Sequence, residues 1–117
     1  MGAFAGVTRL TRRNSLDAAA EQALIEQCRR QNMEAFGKIV DAYQARVLGF
    51  VRRMVHSQEE AEDLSQEVFV RAYQNFAKFD GRSSLRTWLF RIAHNLCVDA
   101  ARKRGRVPQD YRLIDPE

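Results

Sequence analysis

Long apolar runs are missing from this 117-residue sequence; none approaches the ~20 residues that a membrane-spanning helix needs. The basic residues Arg9, Arg12 and Arg13 follow the apolar part of the N-terminus. A secretory signal has the reverse order, so a cytoplasmic protein is expected. Cysteine is scarce: Cys28 and Cys97 lie far apart with no CxxC or Cys/His cluster near either. Buried apolar thiols are expected there, with a disulfide or zinc site only if the fold gathers partners. Also missing are a P-loop, a GxSxG elbow and an HExxH helix. His56 and His94 have no Ser or Cys at a suggestive spacing, and Asp63 and Glu67, one turn apart, form a single carboxylate pair without His. No enzyme, cofactor or metal site is expected. Nor does any segment alternate with period two for long enough to make a strand.

What is present is the length of one domain with tails and an ordinary soluble composition, 45% hydrophobic and 29% charged. The net charge of +4 and pI near 9.5 point only weakly to a polyanionic partner. The distribution says more. Between Glu59 and Glu67 stand five acids and no base, whereas between Arg82 and Arg106 stand seven bases against the single acid Asp99. Two surfaces suited to two different partners are the natural reading.

Residues 1–16 lack periodicity and carry only basic charge, as a flexible arm would. Asp17 is placed to cap a helix running to about Arg30, with Leu24, Ile25 and Cys28 inward. Asn32 is placed to cap a second, with Phe36, Val40, Tyr43, Val47, Phe50 and Met54 as its apolar stripe. Ser57 to Glu60, "SQEE", has the form of a capping box. The acids that follow suit a helix N-terminus, and Leu64, Val68, Ala72 and Phe76 supply an inward row. "KFDGRSS", residues 78–84, interrupts the pattern as a loop. Ser83 or Ser84 can then cap a last helix to about Arg104, ended by Gly105 and Pro108. An all-α bundle of about four helices over residues 17–106 is predicted.

Face by face, Asp63, Glu67 and Val70 line up on the third helix with Gln66 beside them. A solvated acidic face and a docking face for another protein both fit this mixture, which also includes Phe69. On the last helix, Leu85, Leu89, Ile92, Ala93, Leu96 and Ala100 are predicted to be buried. Thr87, Arg91, His94, Val98 and Arg102 fall opposite, with Trp88 and Asn95 at the edge. Cations that hold phosphates beside a ring that can stack on bases suit nucleic acid; an exposed Arg-rich helix with Trp88 completing the core is the plainer alternative.

The run "AEDLSQEVFVRAYQNFAKFDGRSSLRTWLFRIAHNLCVDAARKR" resembles region 2 of bacterial RNA polymerase sigma factors, most of all the extracytoplasmic-function (ECF) group. "EAFGKIVDAYQARVLGFVRRMV" resembles the preceding helix of that domain, so the likeness spans about residues 18–106. It implies docking on the β′ subunit of core RNA polymerase through Asp63, Gln66 and Glu67, with Leu64, Phe69 and Val70 as apolar support. It further implies recognition and melting of the promoter minus-ten element, with a base flipped from the single-stranded non-template strand. The loop would help to form the base pocket through Lys78, Phe79, Asp80, Arg82, Ser83 and Ser84. The single strand would meet Thr87, Trp88, Arg91 and Asn95, and upstream duplex would meet His94, Val98, Asp99, Arg102 and Lys103. Residues 107–117 resemble the start of an interdomain linker; the helix-turn-helix domain that normally follows is not in the sequence. An anti-sigma factor is a further implied partner. A helical module held by that factor, with no DNA engaged, is the alternative function.

Overall fold

A computed structural model of the chain describes residues 17–103 and Gly105. Its helices are α1 (Ala18–Arg29), α2 (Met33–Met54), α3 (Gln58–Gln74) and α4 (Leu85–Lys103), with a 3-10 turn at Phe76–Lys78 between the last two. Among the described residues there is no strand, so the fold class is the expected all-α one. The expectations for the arm, 1–16, and the linker, 107–117, lie outside the described residues. No helix among the described residues is long and apolar enough to cross a membrane. The chain divides into two units, one through Ala45 and one from Arg46 onward.

In the first unit, Asp17 caps α1 as expected, its carboxylate accepting the Ala20 N–H at 2.8 Å. The end of α1 is closed by two bonds: the Gln31 N–H reaches the Cys28 carbonyl at 2.9 Å, and the Asn32 N–H reaches that of Gln27 at 3.2 Å. This Schellman arrangement puts its left-handed residue at Gln31, φ 64°, where glycine is the usual occupant. Asn32 then caps α2 by accepting the Ala35 N–H at 3.1 Å. Ile25 and Cys28 of α1, and Ala35, Phe36, Ile39, Ala42 and Tyr43 of α2, are buried. Burial pushes the Cys28 thiol up to about 11, because a thiolate there would lose its hydration.

The second unit begins in α2. Val47, Val51 and Val55 are buried, whereas Phe50 and Met54 are only half-buried. The buried row of α2 therefore steps by fours through Ala35, Ile39, Tyr43, Val47 and Val51. That corrects the predicted stripe, in which Val40, Phe50 and Met54 stood in place of Ile39 and Val51. Ser57 accepts the Glu60 N–H at 3.0 Å to start α3, and Ser84 accepts the Thr87 N–H at the same distance to start α4. Each is the N-cap geometry that supplies an otherwise unbonded amide with an acceptor.

Helices α3 and α4 pack on one another through rows that differ from those predicted. On α3 the buried set is Ala61, Ser65, Val68, Phe69 and Ala72, while Leu64 stays half-buried. On α4 it is Leu85, Leu89, Ala93, Cys97 and Ala101, again stepping by fours, with Leu96 and His94. Ile92 and Ala100 are only half-buried. Small residues at 93, 97 and 101 let that row lie close to its neighbours, which turns α4 by about one position and carries His94 inward. Phe76, Phe79 and Trp88 form a three-ring cluster: Phe76 meets Phe79 at 5.8 Å and Trp88 at 5.3 Å between centroids, and Phe79 meets Trp88 at 5.0 Å. The cluster ties the 3-10 turn and the residue after it to the first turn of α4.

Candidate nucleic-acid interface

The first consequence of that cluster is the posture of Trp88. One side of its indole rests on Phe76 and Phe79. The remainder lines an open groove of about 240 Å³ with Arg71, Asn75, Lys78, Ile92, Asn95 and Leu96. Trp88 is thus half-buried, part core and part surface. Asn75 is held there because its side-chain N–H donates to the Arg71 carbonyl at 2.9 Å, closing the last turn of α3. Arg71 in turn donates to Glu67 at 3.3 Å, one turn back on the same helix. The groove therefore combines two cations, two side-chain amides, a supported indole and an aliphatic wall. Cations attract phosphates, amides read the edge of an unpaired base, and an indole offers a face to stack on.

Arg71 and Asn75 are not among the site residues expected from the sequence, and Ile92 and Leu96 are expected there only as core. Arg71, on the last turn of α3, and Asn75, its C-cap, are four residues apart, and that spacing is the signal that could have found them.

The loop supplies less than its sequence promised. Phe79 is 3% exposed and committed to the ring cluster, so it presents no face to a base; its apolar ring gains more from the core than from water. Asp80 accepts the Arg82 N–H at 3.0 Å, and its other oxygen meets the Arg82 guanidinium at 3.3 Å. Gly81 takes φ +82°, which the turn requires and a side chain would resist. Lys78 belongs to the 3-10 turn. Ser84 is the helix cap, its hydroxyl also donating to Thr87 at 3.0 Å, while Ser83 donates to the Ser84 carbonyl at 3.3 Å.

Along α4, Thr87, Arg91, Asp99, Arg102 and Lys103 are exposed, with Asn95 and Val98 half-buried beside them. His94 departs from expectation: at 2% exposed it is a core residue, and it leaves the outer ridge for the reason of helix rotation given above.

The acidic face of α3 also loses one member. Asp63 and Gln66 are exposed, Glu67 is partly so, and Val70 is 46% exposed. Phe69, expected to support docking from the surface, is buried at 8% exposed. Its ring follows Val68 into the core, where its apolar area leaves water.

Known proteins similar to this chain fall in one family. Residues 39–107 match the family Sigma-70 region 2. The chain is 41% identical over 90 residues to the RNA polymerase sigma-H factor of Pseudomonas aeruginosa, covering 77% of this chain and 47% of that protein. It is 42% identical over 89 residues to the ECF RNA polymerase sigma factor SigW of Bacillus subtilis, covering 76% of this chain and 46% of that protein. A solved NMR structure of an engineered region 2 of sigmaE in complex with GTAAAA superposes with a TM-score of 0.66 at 34% identity, covering 72% of this chain and 87% of that one. The chain belongs to the sigma-70 family, as a region 2 domain of the ECF group. It spans about half the length of the curated relatives it matches.

Proposed function

We propose that this domain recognises the promoter minus-ten element as opened non-template strand and holds one unstacked base in the groove of Trp88, Asn95, Asn75, Arg71 and Lys78. The observation that carries the reading is the similar region 2 in complex with GTAAAA. Its weight is increased by a groove that pairs amides and an indole with flanking cations. Unstacking a base costs a few kcal/mol, which stacking and edge hydrogen bonds in such a groove would offset. Arg91, Arg102 and Lys103 would hold phosphates, a contribution independent of sequence and weakened by salt. Asp63, Gln66 and Glu67 would meet the β′ subunit of core RNA polymerase, with Val70 and Leu64 as the apolar support. That places the protein's work where the polymerase is, in the cytoplasm, and an anti-sigma factor would act by covering these same faces.

The reading is tested by fluorescence anisotropy with a pool of random ten-nucleotide single strands, from which the unaltered chain retains a preferred sequence. Asn95→Ala is expected to weaken that strand about fivefold and to relax the preference at one position. Arg91→Ala is expected to weaken all strands alike and to flatten the salt dependence by about 0.7 of a log unit per log unit. An absence of any preferred strand, or an equal loss for Arg91→Ala and for Arg53→Ala on α2, would refute it.

A further inference from the structure

Helix α4 borders a second groove, of about 460 Å³, lined by Phe50, Ser84, Arg86, Thr87, Phe90 and Arg91, with the buried His94 beneath. Phe50, from the second half of α2, and Phe90 meet edge to face, with centroids 5.1 Å apart and planes at 64°. Both are half-buried, so part of each ring faces the groove. The Arg86 guanidinium lies over Phe90, 5.7 Å from the ring centre. Arg86 and Arg91 are exposed and bracket the rings, and no acid is among the lining residues.

The charge complement is an anion, and the rings ask for a flat or apolar group between the charges. Arg86 and Arg91 are separated by five residues, roughly 7.5 Å of helix rise. The two cations can therefore each meet a different phosphate of one strand. Arg91 also stands one residue before Ile92 and one turn before Asn95, both of the first groove. The two grooves flank the same cationic ridge.

We propose that this second groove takes another unpaired nucleotide of the same strand, its base against Phe90 and Phe50 and its phosphates on Arg86 and Arg91. The strand then crosses α4 over Arg91, with one base on each side of the helix. This rests on the reading that the first groove holds a base of opened DNA, and it adds Arg86, Phe90 and Phe50 as binding residues.

The test uses the complete chain and the ten-nucleotide strand that it retains best, together with versions of that strand carrying one abasic site at each position in turn. Arg86→Gln and Phe90→Leu are each expected to weaken the intact strand about three- to tenfold. The Phe90→Leu penalty should vanish on a strand whose abasic position differs from the one that silences Asn95→Ala. Unchanged binding by Arg86→Gln and Phe90→Leu, with Asn95→Ala still weakened, overturns the second groove and leaves the first. Silencing of Phe90→Leu and Asn95→Ala at the same position also overturns it, since only one base would then be held. Loss of effect in all three variants removes the reading of the first groove as well. If Phe90→Leu does not fold, Arg86→Gln, on the exposed surface, decides through the same abasic series. An acidic Phe-containing peptide that binds the chain but not Phe90→Leu, while strand binding is untouched, would assign the groove to a protein and overturn the proposal.

Discussion

Helices α3 and α4 are built to one plan and carry opposite charge. Each starts from a serine whose hydroxyl accepts an amide at 3.0 Å, and each buries a row of small and apolar side chains. Their first turns differ. Glu59 and Glu60 stand in the first turn of α3, where the helix dipole favours them. The first turn of α4 has no acid, and Arg86 sits there instead. A cation at that end costs about 0.3–1 kcal/mol, and its position over Phe90 returns about 0.5–1 kcal/mol. Arg86 is therefore close to neutral for the fold, which is compatible with the phosphate contact proposed for it. Asp63 and Glu67 make the matching point on α3. They stand beyond the first turn, where the dipole no longer accounts for acids, and Glu67 gains only an exposed pair with Arg71 at 3.3 Å.

The largest effect is expected at Phe76, in the 3-10 turn between the two helices. Phe76→Ala should lower unfolding free energy by about 3–5 kcal/mol in denaturant titration, because a fully buried ring is lost from the cluster that also holds Trp88. Polymerase capture and strand binding should then fail together, unlike the effects of surface changes. A finer probe is the pair of caps. Ser57→Ala and Ser84→Ala should each cost about 1 kcal/mol. Only Ser84→Ala should also weaken strand binding, since only that serine borders a groove of α4. Equal effects of the two on DNA would mean that the helix ends act through stability alone.

Much of this plan was legible in the sequence because it depends on local chemistry. Asp17, Asn32, Ser57 and Ser84 cap helices through their own side chains, so each start could be read from a few residues. The charge division between α3 and α4 was equally plain. What local pattern could not give was the rotation of each helix about its axis. Apolar residues surround the true row on both sides in α2 and α4, and the choice between Ile39 and Val40, or between Ile92 and Cys97, depends on which neighbours allow close approach. That rotation moved His94 and Phe69 inward. Phe79 left the loop surface for a related reason, since its partners Phe76 and Trp88 come from either side of the turn. The grooves were hidden because each joins residues of separate helices: Asn75 with Asn95 in one, Phe50 with Phe90 in the other.

The division of labour between the two helices is tested most directly by measuring both activities on two charge reversals, Asp63→Lys and Arg91→Glu, each at an exposed position. Capture of core RNA polymerase and anisotropy with the preferred single strand would be recorded for each, beside circular dichroism. We expect Asp63→Lys to lose at least about tenfold in polymerase capture, the effect of 1.4 kcal/mol, while holding the strand normally, and Arg91→Glu to do the reverse. If either variant loses both activities while its helix content is unchanged, or if Asp63→Lys retains the polymerase, the account is contradicted.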